Sequence, residues 1–325
     1  MSEFLKDMSF LYDAKYFFRS LNGLTIGGVV LYDQNVTTSP PSSHNILSPE
    51  QVKDFNEALQ SFSPTPLLIG IDQEGGQVNR LKEKYGFPQS NSWAKLGLLN
   101  DIVETQSCAT RTASTLSKNG FNLNFAPILD LSLNPDSFIA KKERCFSNNP
   151  VSVSTHAELF ILSHLAQNVV PVCKHFPGQG SAGRDTHVGI ADVTETWSET
   201  ELIPYQTLID NDCIPAIMTS HIFYQQMDPE LPATLSSKIL TNLLRKKMGF
   251  DGAGGGTERG STLMAAEGGQ KNHQWRKEEG GGGGRRAPLF LPPPRDSGYA
   301  RCFRSPAGLE PTESPESPKL AESPN

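Results

Sequence analysis

The stretch from Val169 to His187, VVPVCKHFPGQGSAGRDTH, decides how the rest of the chain is interpreted. It begins with an apolar, β-rich run that predicts a buried strand. A lysine–histidine pair follows at once, and then a glycine-rich loop that contains an arginine, an aspartate and a second histidine. Barrel enzymes present their catalytic side chains at the carboxyl ends of such strands. We therefore predict that this stretch carries the active site.

The same loop contains residues 178–183, GQGSAG, which fit the G-x-G-x-x-G pattern of dinucleotide-binding proteins. That pattern requires a helix directly after the glycines, and residues 184–196 lack the helical spacing of apolar side chains. We therefore reject a nucleotide site. A lone histidine at a strand end is more often a hydrogen-bonded core residue than a catalyst, so the prediction depends on the whole set of residues.

Strand and helix patterns alternate along the chain on both sides of this stretch. Apolar runs predict five strands, at residues 26–32, 67–72, 123–131, 169–173 and 216–221. Helices are predicted at residues 10–19, 51–62, 96–118, 151–167, 198–209 (behind a Ser-x-x-Glu capping box) and 237–248 (behind Ser237). Alternation of this kind predicts a parallel sheet with helical crossovers. We expect an α/β fold, a TIM-type (β/α) barrel truncated after about five strands.

The end of the chain has a different composition. Residues 253–325 contain no Val and no Ile and are rich in Gly and Pro. Such a segment buries too little apolar surface to offset its chain entropy, so we expect a disordered tail. Residues 250–252 predict a turn into a further strand, but no apolar run follows them. The expected organisation is an incomplete barrel at residues 1–252 and a tail of unrelated sequence at 253–325.

Composition also limits the class of protein. The net charge of −6 and the pI of about 5.7 give no basic field for nucleic acid. Five scattered cysteines form neither a metal-binding spacing nor a disulfide framework, so reduced thiols in a cytoplasmic protein are expected. Neither a secretory signal nor a run long enough to span a membrane is present. We expect a cytoplasmic monomer without a metal or cofactor and without a membrane or nucleic-acid partner.

Four segments together resemble the family 3 glycoside hydrolases, specifically their β-N-acetylglucosaminidase branch. They occur in the expected order: IDQEGG at 71–76 with Arg80, NFAPILD at 124–130, RCFS at 144–147, and the loop at 174–187. The resemblance extends from about Gly27 to Gly252. It implies a barrel enzyme that removes terminal β-linked N-acetylglucosamine with retention and without a metal. The implied substrate is a glycan or a muropeptide, as in peptidoglycan recycling.

The resemblance also implies roles for seven residues. His187 matches the histidine that replaces the usual acid/base carboxylate in this branch, and Asp185 matches the aspartate that orients it. An imidazole suits this task because it titrates near neutral pH and a carboxylate partner sets its tautomer. The implied sugar contacts are Asp72, Arg80, Arg144, Lys174 and His175. Simpler interpretations are that Asp185 shapes a turn, that the arginines are solvated, and that Lys174 forms a structural ion pair, for example with Asp130.

A nucleophile is missing from the match. In the family it lies on a Ser-Asp-Asp-type segment that follows the strand after a Gly-Phe-Asp-Gly turn, and this sequence has no such segment. Asp251 precedes the expected strand and should lie at the opposite end of the barrel, and Asp296 lies in the tail. We assign no nucleophile and expect impaired hydrolysis. The alternatives are a catalytically silent sugar-binding protein and a barrel that binds phosphate on residues 178–183.

Overall fold

A computed structural model describes residues 14–15, 17–18, 26–35, 42–185, 189–255 and 263–264. Its central sheet contains seven strands: β1 (Gly28–Val30), β4 (Leu68–Ile71), β5 (Leu123–Asn124), β6 (Val170–Phe176), β8 (Ala216–Thr219), β10 (Ala253–Gly255) and β11 (Leu263–Met264). The first six are parallel in this order, and β11 joins antiparallel to β10. Two small sheets pair β2 (Gln34–Asn35) with β3 (Ser42–Ser43), and β7 (Ala191–Asp192) with β9 (Ile222–Phe223). The predicted parallel, barrel-type fold is confirmed as a half-barrel.

Helices connect these strands. They are α1 (Pro49–Phe62), α2 (Trp93–Leu99), α3 (Ile102–Lys118), α4 (Phe138–Lys141), α5 (Pro150–Leu165) and α6 (Ile203–Asp210), with a π-helix at Lys238–Lys247. Short 3-10 turns lie at Glu83–Tyr85, Glu199–Leu202 and Ala233–Leu235. Most of the helix predicted at 10–19, and most of the predicted tail, lie outside the described residues.

The single helix predicted over residues 96–118 is wrong, because two helices occupy this region. Asn100 adopts a left-handed conformation (φ 48°) and closes α2. The Asp101 carboxylate then accepts hydrogen bonds from the amides of Val103 (2.8 Å) and Glu104 (3.1 Å), which starts α3. Asparagine tolerates the left-handed region and aspartate is a favoured N-cap, so the break has a local cause.

Two strand predictions also differ from the structure. The strand predicted at 123–131 is regular only over Leu123–Asn124, because Pro127 has no amide hydrogen with which to extend the ladder. Conversely, the sequence predicted no strand after residue 252, yet β10 extends the sheet at Ala253–Gly255. Sheet hydrogen bonds use only backbone groups, and Arg245 Nη1 holds the preceding turn by donating to Gly252 O (2.6 Å).

At two predicted helix starts the N-cap residue is as predicted but the capping hydrogen bonds differ. The predicted capping box is incomplete. Ser198 accepts from the amide of Thr200 (3.4 Å), but the Glu201 side chain points into the protein and binds another loop. Ser237 is the N-cap residue of the last helix, as predicted, but its side chain makes no capping hydrogen bond. The preceding Ser236 hydroxyl instead accepts from the amide of Ile239 (3.2 Å).

The two faces of the sheet bury different side chains. One face packs under α5 and α6 and includes Cys173 of β6. Phe176 lies on the same face because the strand register shifts between Lys174 and Phe176. The other carries Val172, with Leu123, Phe125, Ala216 and Met218. Since alternate residues of a strand point to opposite faces, Lys174 follows Val172 on the second face. This alternation places Lys174 on the second face of the sheet, near the carboxyl end of β6.

Candidate active site

Polar residues follow neighbouring parallel strands where these strands end. Asp72 comes directly after β4, Asp130 follows the segment that extends β5, and Lys174 and His175 lie near the end of β6. The carboxyl ends of parallel strands meet at one edge of a sheet. The structure accordingly brings Asp72, Arg80, Arg144 and Lys174 into one ionic network, and His175 lies beside it.

Lys174 is the centre of this network. Its ammonium contacts Asp72 Oδ1 at 2.7 Å and Glu74 Oε1 at 2.8 Å. Arg144 binds the same Glu74 carboxylate with two parallel hydrogen bonds, Nε to Oε2 at 2.9 Å and Nη2 to Oε1 at 2.8 Å. The candidate pair of Lys174 with Asp130 is corrected by these contacts, since Asp130 binds His175 (2.6 Å) and Lys174 binds two other carboxylates.

The charges of this network stabilise each other. Burial opposes the charged form of Glu74, but the charges of Arg144 and Lys174 outweigh it and lower its pKa to about 2. Burial likewise disfavours the Arg144 cation, yet the charge of Glu74 and its hydrogen bonds keep the pKa of Arg144 above its usual value. Both groups are therefore ionised at neutral pH.

Arg80 forms the more accessible border of the network. Its guanidinium lies 3.9 Å from Asp72 Oδ2 and 3.9 Å from Asp33 Oδ1, and its side chain is 26 % exposed. The ring of Tyr32 lies below it, with Arg80 Cζ 5.3 Å from the ring centroid. Lys82 also binds Asp33. Arg80 is thus oriented by two carboxylates and an aromatic face while remaining open to a ligand.

His175 is held in one orientation by Asp130. Its Nδ1 lies 2.6 Å from Asp130 Oδ2, and its backbone amide donates to Asp130 Oδ1 (3.2 Å). Burial lowers the pKa of His175 more strongly than Asp130 raises it, so the ring is neutral at neutral pH. Nδ1 then carries the proton that Asp130 accepts, and Nε2 is left as a hydrogen-bond acceptor. A sugar hydroxyl is a suitable donor for this atom.

The glycine-rich loop uses its backbone donors within the protein. The amides of Gly178, Gln179 and Gly180 donate to His175 O (2.8 Å), Asp130 Oδ1 (2.8 Å) and Glu201 Oε2 (2.7 Å). The next two, Ser181 and Ala182, donate to Glu201 Oε1 (3.3 Å) and Gln179 O (3.1 Å). A phosphate cradle needs such amides to point at the ligand. This arrangement argues against the phosphate-binding alternative.

The remaining predicted residues are placed only in part. Asp185 is half-buried just beyond the loop, while His187 and Asp296 lie outside the described residues. Asp251 is exposed and precedes β10, so it lies at the amino end of that strand and away from Asp72. This agrees with the expectation that Asp251 is not the nucleophile.

Metal ligands and membrane-spanning helices both bear on the class of site. Across the described residues, no three His, Cys, Asp or Glu side chains group in a way that could hold a metal ion. The helices in the same part of the chain are too short or too polar to cross a membrane. The four cysteines within it, at 108, 145, 173 and 213, form no disulfide with one another.

Comparison with known proteins identifies the family. The model of the "Glycosyl hydrolase family 3 N terminal domain" matches residues 15–254. This chain belongs to glycosyl hydrolase family 3. A β-hexosaminidase of Alkalilimnicola ehrlichii is 33 % identical over 237 residues, which cover 70 % of this chain and 64 % of that protein. The predicted family is confirmed.

Solved structures show the same family 3 fold. A β-N-acetylglucosaminidase from Paenibacillus has a TM-score of 0.67 and 30 % identity, covering 75 % of this chain and 45 % of that one. NagZ from Neisseria gonorrhoeae, solved in complex with N-trifluoroacetyl-D-glucosamine, has a TM-score of 0.61 and 26 % identity, covering 70 % and 66 %. The chain thus spans less than two thirds of the length of these relatives.

The structure adds polar residues to the family 3 site to which the sequence assigned no role. Glu74, Asp33 and Glu201 are buried, at 3 %, 1 % and 0 % exposure, and each binds a predicted site residue or its loop. Glu74 carried a sequence signal, because it lies two residues after Asp72 at a strand end. Glu201 has the sequence signal of a helix cap, which concealed its contact with a loop about twenty residues away.

Proposed function

We propose that this chain recognises the terminal N-acetylglucosamine of β-linked glycans or muropeptides, and that the reaction of this site is retaining hydrolysis. The observation that supports the proposal is the convergence of Asp72, Lys174 and Arg80 at the carboxyl edge of the sheet. A sugar ring offers hydroxyls that both donate and accept, so a carboxylate acceptor beside cationic donors complements it. The names of the family relatives, β-hexosaminidase and β-N-acetylglucosaminidase, agree with this substrate.

In the proposed reaction, Asp72 accepts hydrogen bonds from sugar hydroxyls while Lys174, 2.7 Å from Asp72 Oδ1, holds its carboxylate in place. Arg80 and the neutral His175 add a donor and an acceptor. His187 protonates the leaving oxygen and later activates water, with Asp185 as its orienting partner. The nucleophile that retention requires remains unassigned.

We further propose that this chain hydrolyses substrate slowly. In the described part of the edge, Asp72 and Glu74 are bound to Lys174 and Asp130 is bound to His175. Each of these three carboxylates holds another site residue in place, so we assign none of them as the nucleophile. Loss of a covalent nucleophile typically lowers the rate by orders of magnitude. Sugar binding without turnover is the second candidate function.

Binding is tested by calorimetry with N-acetylglucosamine on the full chain. Asp72→Asn should weaken binding by about tenfold or more, because hydrogen bonds to a charged group contribute about 1.5–3 kcal/mol. The matched control is Asp54→Asn, an exposed aspartate on α1, which should leave the affinity unchanged. Wild-type protein that binds inorganic phosphate but no N-acetylglucosamine would refute the proposal.

Turnover is tested with a chromogenic N-acetyl-β-glucosaminide, using the Alkalilimnicola relative as the reference. We expect a rate lower by on the order of a thousandfold, which His187→Ala lowers further if any hydrolysis is present. A rate within about tenfold of the reference would show that the proposed impairment is wrong. Bound sugar with no detectable turnover would favour the second candidate.

A further inference from the structure

Glu201 is a fully buried carboxylate that lies outside the ionic network of the site. It belongs to the turn Glu199–Leu202 that leads into α6 and is 0 % exposed. Its two oxygens accept the amides of Gly180 (2.7 Å) and Ser181 (3.3 Å). Burying a carboxylate is costly unless hydrogen-bond donors compensate. The amides of the glycine-rich loop provide this compensation.

The loop has little room to shift at this contact. A Cβ on Gly180 would lie 1.7 Å from Leu131 O, and one on Gly178, whose φ is +118°, would lie 2.4 Å from Glu201 Cβ. Between them, Gln179 accepts a hydrogen bond from the Ser220 hydroxyl (2.8 Å). Close packing of this kind requires glycine at both positions. The loop base is thus enclosed by three separate segments of the chain.

Burial ends just beyond this contact. Residues 178–182 are buried, whereas Gly183 and Arg184 are exposed, and Asp185 follows four residues after Ser181. We infer that Glu201 is a positioning residue, which fixes the base of the loop and thereby sets where the segment that carries Asp185 begins. The inference rests on the proposed function only in taking Asp185 as part of the catalytic machinery.

The surroundings of Glu201 make this support dependent on pH. Burial raises the pKa of Glu201 to about 7, although the Ser181 side chain and the two amides act in the opposite direction. The titratable groups that face it are Asp130, Cys145 and Tyr205, and a negative charge on any of them disfavours the ionised form. Because a charged carboxylate accepts stronger hydrogen bonds, the loop base should be held more firmly above pH 7 than below it.

The test is residue-resolved amide hydrogen exchange by NMR on the full chain, which needs no sugar. In Glu201→Gln, exchange of Gly180 and Ser181 should accelerate by about tenfold, the loss expected for one charge-assisted hydrogen bond. Val170, whose amide donates to Asn122 O (2.9 Å) at the opposite end of β6, is the internal reference. The matched control is Glu199→Gln, an exposed glutamate of the same turn. Unchanged exchange of Gly180 and Ser181 in Glu201→Gln would overturn the inference.

Wild-type protein provides a second measurement in case the variant does not fold. Protection of Gly180 relative to Val170 should increase between about pH 5.5 and about pH 8.5, as Glu201 ionises, and a constant ratio would overturn the inference. If turnover is measurable, Glu201→Gln should lower kcat and leave KM within about twofold, because the sugar contacts are made by other residues. Failure of sugar binding alone would refute the proposed function and leave the exchange result standing.

Discussion

Replacing Glu74 by glutamine should destabilise the protein by about 3 kcal/mol. Glu74 is bound by Arg144 Nε (2.9 Å), Arg144 Nη2 (2.8 Å) and Lys174 Nζ (2.8 Å). Its pKa falls from 4.5 to about 2 in the folded protein, and one pKa unit corresponds to about 1.4 kcal/mol. Independently, removing one partner of a buried ion pair typically costs about 3–5 kcal/mol, because the other charge is left buried. Both arguments give the same order of magnitude.

The assay is urea unfolding at pH 7, followed by circular dichroism. The matched control is Glu57→Gln, which removes an exposed ion pair with Lys53 (3.6 Å) and should cost about 0.5 kcal/mol or less. A Glu74→Gln protein whose free energy of unfolding lies within about 1 kcal/mol of the wild type would refute the reasoning. It would mean that Arg144 and Lys174 find equivalent partners when the carboxylate of Glu74 is replaced by an amide.

The pH dependence provides an internal check on the same variant. The folded-state pKa of Glu74 is lowered, so its stabilising contribution is complete above the unfolded-state value of 4.5 and is lost as the pH falls towards about 2. The difference between wild type and Glu74→Gln should therefore stay constant above about pH 5 and shrink at lower pH. A difference that grows on acidification would contradict the assignment.

Two further predictions concern the stability of the scaffold. Gly97→Ala should lower the free energy of unfolding in urea by about 2 kcal/mol or more, because its Cβ would lie 1.6 Å from Phe146 O. Gly27→Ala, whose Cβ would have nothing within 4 Å, should lower it by about 0.5 kcal/mol or less. Similar losses in the two variants would contradict this prediction. Burial lowers the pKa of His164 to about 3 in the folded protein. As the pH falls, this histidine is therefore protonated in the unfolded state before it is protonated in the folded state. The free energy of unfolding should consequently fall by about 2 kcal/mol between pH 7 and pH 5. His164→Gln should lose that part of the pH dependence, and an unchanged profile would show that another group is responsible.

The alternating architecture could be predicted because its signals are local. Apolar runs marked the strands, since that signal depends on residues a few positions apart. The errors arose where local signals were ambiguous. Leu96–Lys118 has helical spacing throughout, and only the αL conformation of Asn100 reveals the break. The glycines of β10 have no strand propensity, and their pairing with β8 comes from the neighbouring backbone.

By itself, the sequence determined the family, the barrel-type fold and which residue types end each strand. Motif order and periodicity lie along the chain and can be read there. Only the tertiary structure decided the partners: Lys174 with Asp72 and Glu74, Asp130 with His175, and Glu201 with the glycine-rich loop. Lys174 and Asp72 are 102 positions apart, and Arg144 and Glu74 are 70 apart. Contacts between such distant residues form only when the parallel strands bring their carboxyl ends to one edge, which no local pattern specifies.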